Sequence, residues 1–144
     1  LSALEKMIRY FDENGYGMFA IIERKEKRLI GQCGLVLDQN SGLIELTFTL
    51  LPDAWGKGYA TEACMEVLRF AFIELGIEKI ISTLREENRA SIRVLEKIGM
   101  AYSSRYKLSD QTVLLYKIER PLKAAGSLFQ NTYSQRSKLS MPAL

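Results

Sequence analysis

Gly56-Lys57-Gly58 stands where an apolar run, residues 43–51, gives way to a helix-periodic segment. Glycines let a chain turn sharply and let its N–H groups come close to a phosphate. The helix that begins near Tyr59 adds unpaired N–H groups and the positive end of its dipole. Lys57 adds a mobile positive charge. These residue types point to a ligand with phosphates at one end. Two common nucleotide loops do not fit. A Walker loop needs two glycines five apart followed by Lys and Ser or Thr, and the chain has no such stretch. A dinucleotide fingerprint needs a third glycine, and Ala60 and Thr61 do not complete it. As a bare pattern, Gly-Lys-Gly also reads as a plain strand-to-helix turn.

The surrounding elements decide what such a loop can do. Ala63, Cys64, Val67, Leu68, Ala71, Phe72 and Leu75 recur at steps of three and four, which predicts one helix with a single apolar stripe. Gly76 is placed to stop it. A β-type run follows, Lys79-Ile-Ile-Ser-Thr-Leu84. Asn88 is then a good N-cap for a second helix carrying Ala90, Val94, Leu95 and Ile98, which ends at Gly99.

With Trp55-Gly-Lys-Gly-Tyr-Ala-Thr-Glu-Ala63 and Asn88-Arg-Ala-Ser-Ile-Arg-Val-Leu-Glu-Lys-Ile-Gly-Met100 in this order, residues 17–120 resemble the GNAT family of acyl-CoA-dependent N-acetyltransferases. The likeness is closest to the branch of ribosomal-protein N-terminal acetyltransferases. It implies an α+β, three-layer fold: a mixed, mostly antiparallel sheet splayed at a bulge, with helices on both faces. It also implies acetyl-CoA as co-substrate. The pyrophosphate would sit on backbone N–H groups of the loop formed by Trp55, Gly56, Lys57, Gly58, Tyr59, Ala60 and Thr61. The pantetheine arm would run beside the preceding strand and pair with its backbone near Leu50 and Leu51, where amides lack partners. Asn88 matches the Asn that contacts the pantetheine side and Ser91 a Ser near it. Each also has a plain helix-start role.

Acetyl transfer to an amine needs a proton removed, because amines are charged at neutral pH. It also needs N–H donors for the oxyanion and an exit for the thiolate. No covalent intermediate is required, so a ternary complex can work by positioning. The chain has no His, which leaves carboxylates as bases. Glu45, inside Leu43-Ile-Glu-Leu-Thr-Phe48, is the candidate, since half-burial on a strand raises carboxylate basicity. The other reading is a Glu on a solvent-facing sheet surface. Asp53 is the reserve, although beside Pro52 it suits the turn. Many GNAT enzymes use a Tyr seven residues after the Asn as acid; that position here is Leu95. Ser91 or Tyr102 would then replace it, or the thiolate leaves unassisted.

Composition agrees with one globular domain, at 47% hydrophobic content. There are 20 basic and 17 acidic residues; three of the basic ones, Lys123, Arg136 and Lys138, fall in an acid-free tail, residues 121–144. No basic face is left to suggest nucleic acid. Cys33 and Cys64 lie in apolar contexts and offer neither a metal cluster nor a disulfide framework. No signal peptide or membrane span is visible, so the cytoplasm is the default.

The start of the chain (Leu4, Met7, Ile8, Phe11) reads as an amphipathic helix ending near Asn14-Gly15. Residues 18–24 and 29–37 read as paired strands, and 101–107 with 112–118 as a closing hairpin. The expected division is an acetyltransferase domain over residues 1–120 and a loose or docking tail over 121–144, with Leu128, Phe129 and Tyr133 as docking points. Family members begin with a strand that has no counterpart here. The edge it leaves would be covered by the tail or by a second subunit, in a strand-exchanging homodimer. Three readings result: an N-acetyltransferase acting on a primary amine, a coenzyme A-binding module without turnover, or a ligand-free dimerisation domain.

Overall fold

The computed structural model describes residues 2–122 and 138–144. Helix α1, Ala3–Asn14, begins at Ser2, whose hydroxyl accepts from Glu5 N–H while the Glu5 carboxylate accepts from Ser2 N–H. This reciprocal cap satisfies two end donors at once. The helix ends at Gly15, whose φ of 75° suits a residue without Cβ. It contributes no buried residue. Phe11 reaches Phe19, with ring centroids 5.4 Å apart.

Strands β1 (Met18–Glu23), β2 (Arg28–Leu37), β3 (Ile44–Leu50), β4 (Lys79–Arg85), β5 (Ala101–Leu108), β6 (Gln111–Glu119) and β7 (Leu139–Ser140) form one sheet in the order β5-β6-β4-β3-β2-β1-β7. All neighbours are antiparallel except β3 and β4, which are parallel. Where β1 meets β2 the backbones touch: a Cβ on Gly34 would stand 2.2 Å from the Gly17 carbonyl oxygen. Helix α2, Tyr59–Arg69, joins β3 to β4, and α3, Arg89–Lys97, joins β4 to β5. A parallel pair needs such a crossover, and α2 supplies it.

The predicted stripe on α2 is the buried one. Ala63, Cys64, Val67, Leu68, Ala71 and Phe72 join Leu35, Leu46, Ile80 and, from α3, Leu95 and Ile98 in one core. Cys33 and Cys64 meet there with sulfurs 3.8 Å apart, both free. The helix that starts at Tyr59 is not uniform to its end as the periodicity predicts. After Arg69 it widens into a turn over Phe70–Glu74, where Leu75 N–H donates to Phe70 C=O.

Residues 138–144 close the β1 edge. Arg24 N–H donates to Lys138 C=O, Ala20 N–H to Pro142 C=O and Leu144 N–H to Met18 C=O. Leu139 is fully buried in the core. Of the two expected covers for this edge, the tail provides one within the chain. The docking points Leu128, Phe129 and Tyr133 lie outside the described residues.

Candidate active site

Backbone alternation on β3 settles which groups look where. Leu51 N–H donates to Ile30 C=O and Leu43 C=O accepts from Asp38 N–H, both toward β2. The even-numbered residues therefore turn their backbone toward β4. Two bonds agree: Leu46 C=O accepts from the Ser82 hydroxyl at 2.9 Å, and Leu50 C=O from Trp55 Nε1 at 2.9 Å.

Pairing between β3 and β4 covers only Ile44 with Ile80 and Glu45 with Ile81. Beyond it the strands diverge and enclose a cleft of about 370 Å³. Thr47 and Phe48 line one wall, Thr83, Leu84 and Arg85 the other, and Asn88, Ser91 and Leu95 of α3 the end toward the next helix. The backbone of Phe48 and the N–H of Leu50 face this opening. Leu51 does not, contrary to expectation. Its N–H is bound to Ile30, and its C=O accepts from Ala54 N–H in the tight turn Pro52–Ala54.

At the open end, β3 runs through that turn into the glycine loop. Gly56 and Gly58 have φ of 73° and 82°, and neither would meet an atom within 4 Å of an added Cβ. The space beside them is open, and the left-handed backbone is what requires glycine. The first α2 bond is Glu62 N–H to Gly58 C=O. The N–H groups of Tyr59, Ala60 and Thr61 precede it, and they point out of the helix start. Trp55 spends its own N–H on Pro52 C=O and its indole on Leu50. Lys57 is exposed. Together these groups gather positive charge just beyond the end of β3, where that strand leaves the cleft.

Asn88 caps α3 by accepting from Ser91 N–H at 3.2 Å, and both residues line the cleft. The capping role and a place in the site therefore coincide. Leu95 is fully buried on the cleft wall. Tyr102, the alternative acid, is excluded by its position. It lies 54% exposed on the edge strand β5, separated from the cleft by β6, with its ring against Tyr116. Asp53 is also spoken for. It holds Arg28 through two bonds, at 2.6 and 3.2 Å, which draws its carboxyl below the usual range.

Glu45 sits at the apex, half-buried, with Oε1 accepting from Thr83 N–H at 3.2 Å and from the Thr83 hydroxyl. It shares its sheet face with Thr47 and the exposed Thr49, and the Thr83 bonds turn its carboxylate toward β4. Phe48, Ser82 and Thr83 are site residues that sequence reasoning missed. The only signal was the pair of hydroxyls in the otherwise apolar run Lys79-Ile-Ile-Ser-Thr-Leu84. Among the described residues no three His, Cys, Asp or Glu side chains gather as a metal site. No helix among them is long and apolar enough to cross a membrane.

A family profile described as an acetyltransferase (GNAT) domain matches residues 2–101. The uncharacterized protein YkkB of Bacillus subtilis is 34% identical over 110 residues, covering 74% of this chain and 64% of that protein. The uncharacterized N-acetyltransferase p20 of Bacillus licheniformis is 33% identical over 82 residues, covering 56% of this chain and 46% of that protein. The chain thus spans between about half and two thirds of the length of these relatives. Among solved structures, a ribosomal-protein-S5-alanine acetyltransferase from Vibrio fischeri superposes with a TM-score of 0.72 at 16% identity, over 81% of this chain and 68% of that one. At that identity the likeness speaks for the fold. With the splayed sheet, the glycine loop and the profile in agreement, the chain belongs to the GNAT acetyltransferase family.

Proposed function

We propose that this chain transfers the acetyl group of acetyl-CoA to a primary amine by direct attack in a ternary complex. The observation that carries the reading is the cleft between β3 and β4, with the glycine loop at its mouth and a carboxylate at its apex. Gly56, Lys57, Gly58, Tyr59, Ala60 and Thr61 hold the pyrophosphate through N–H groups, with Trp55 shaping the loop from outside. The pantetheine lies along β3 as an extra strand, against the backbone of Phe48 and Leu50, with Asn88 and Ser91 on its other side.

Glu45 takes the ammonium proton, directly or through a water. The freed nitrogen forms a bond to the thioester carbon, the carbonyl electrons move to oxygen, and a backbone N–H of the opened strand stabilises that oxyanion. Collapse expels the thiolate of coenzyme A, and the nitrogen sheds its second proton to give the amide. The thiolate leaves unassisted with that proton passing to solvent, or takes it up through the Ser91 hydroxyl, which receives one proton as it gives one. Acceptors of the right chemistry are a peptide N-terminus, a polyamine or an aminoglycoside. The site works without a metal in this reading, and the protein resides in the cytoplasm. Exchange of residues 138–144 between two copies would make a homodimer; a strictly monomeric sedimentation profile at high concentration counts against that part.

Calorimetry with acetyl-CoA, with desulfo-CoA and ATP for comparison, tests the binding site. Turnover on alanyl-peptide, spermidine and aminoglycoside probes then tests the chemistry. Glu45→Gln should cut kcat by about a hundredfold or more with acetyl-CoA affinity kept. Full turnover by that variant would sink the assignment of the base. The buried Leu95, which has no proton to give, favours the alternative of a coenzyme A-binding module; binding without turnover on any probe would support it.

A further inference from the structure

We propose that Thr83 is a positioning residue for the Glu45 carboxylate. The proposal rests on the reading of Glu45 as the base. The β3–β4 ladder stops at Glu45 and Ile81, so the next inward-facing β4 amide, that of Thr83, has no strand carbonyl opposite it. The Glu45 side chain supplies the missing acceptor, and its Oε1 receives both the Thr83 N–H and the Thr83 hydroxyl. Two donors from one residue on one oxygen fix the plane of the carboxylate as well as its position. Among the described residues no protein donor engages Oε2. Glu45 is the last β3 residue paired to β4 and is bonded to Thr83, which lines the cleft, so the carboxylate is held at the cleft's closed end. The same contact closes the sheet and orients a proton acceptor.

The charge around the pair is simple. On this face, β4 presents Lys79 and Arg85, and β6 presents Lys117 and, opposite Lys79, Glu119. β2 presents Gln32, Gly34 and Val36, and β3 itself Thr47 and Thr49, none of them ionisable.

Thr83→Val keeps the backbone donor and the branched shape while deleting the hydroxyl. Steady-state kinetics on an amine probe that the protein turns over, with calorimetry of acetyl-CoA beside it, read the effect. We expect Thr83→Val to cut kcat about tenfold, the change that losing one charge-assisted hydrogen bond brings, with acetyl-CoA affinity unchanged within twofold. Thr83→Ser should restore kcat.

A kcat that stays put in Thr83→Val overturns the proposal, as does a loss of stability and coenzyme binding that Thr83→Ser does not rescue, which is what a mere sheet staple would give. If Thr83→Val does not fold, Thr83→Ala is read in the same way. Failure of the underlying reading looks different: Glu45→Gln would turn over normally, whatever Thr83→Val showed.

Discussion

Truncating Leu139 to Ala removes a side chain that is fully buried, from a strand of two residues at the sheet edge. It belongs to a single core with other fully buried residues, Ile21, Leu35 and Leu68 among them. Core leucine truncations cost the transfer of the lost methyl groups plus the cavity left behind, about 2–5 kcal/mol in all. A short edge strand relaxes more easily than a central one, so we take about 3 kcal/mol. For a chain of this size that lowers Tm by about 10 °C. Urea unfolding followed by circular dichroism measures it: the midpoint should fall and the slope m should stay constant. Leu122→Ala is the control, because Leu122 is 85% exposed and its loss should change little. If Leu139→Ala shifts stability by less than about 0.5 kcal/mol, as an ordinary surface change does, the strand is not docked as described. The consequence reaches the site, because Lys138 N–H donates to Glu62 on the first turn of α2. The same variant should therefore also weaken acetyl-CoA binding.

Two further outcomes follow from single residues. Gly58→Val meets no atom, yet its φ of 82° forces a branched side chain into a left-handed backbone at a cost of about 1–2 kcal/mol; calorimetry should show at least tenfold weaker acetyl-CoA binding, whereas Gly15→Val, equally strained but at the end of α1, should leave affinity intact. Burial, together with the contact to Cys33, pushes the Cys64 thiol well above its ordinary range, so iodoacetamide should label neither cysteine in native protein and both in denaturant. Rapid native labelling would contradict the packing of α2 on β2.

The sequence was most legible where a local rule carries its own boundary. Asn88 and Gly99 bracket α3 as their types require, and the α2 stripe is the buried face. The glycine loop was readable because φ above zero is a property of single residues. What escaped was set by register between strands far apart in the chain. Ser82 meets Leu46 from 36 positions away and Thr83 meets Glu45 from 38. Their hydroxyls looked like minor polar interruptions until the strands were aligned. Leu51 was misplaced for the opposite reason: a turn of three residues, Pro52–Ala54, captures its carbonyl, and a local hydrogen bond outweighs the strand pattern beside it. The β7 edge was open to two readings because a two-residue strand has too little pattern to announce itself.

The cleft itself is best understood as a vacant strand position whose partners are only partly supplied. An edge of β3 that faced water or apolar surface without acceptors and donors would be costly. Ser82 satisfies the Leu46 carbonyl near the apex, and Trp55 satisfies the Leu50 carbonyl at the mouth. Between these two protein donors lie the Phe48 backbone and the Leu50 N–H, a length of strand edge that fits an extended, amide-bearing ligand. Opposite them, Thr83 turns its own unpaired amide onto Glu45 rather than leaving it for the ligand. The division makes the cleft selective. One wall offers main-chain groups to a guest strand, while the other has spent its first amide on fixing a carboxylate. The proposed transfer, which must hold a peptide-like arm and present a base beside its tip, needs that asymmetry, and a symmetric gap between two bare strand edges would provide only the first.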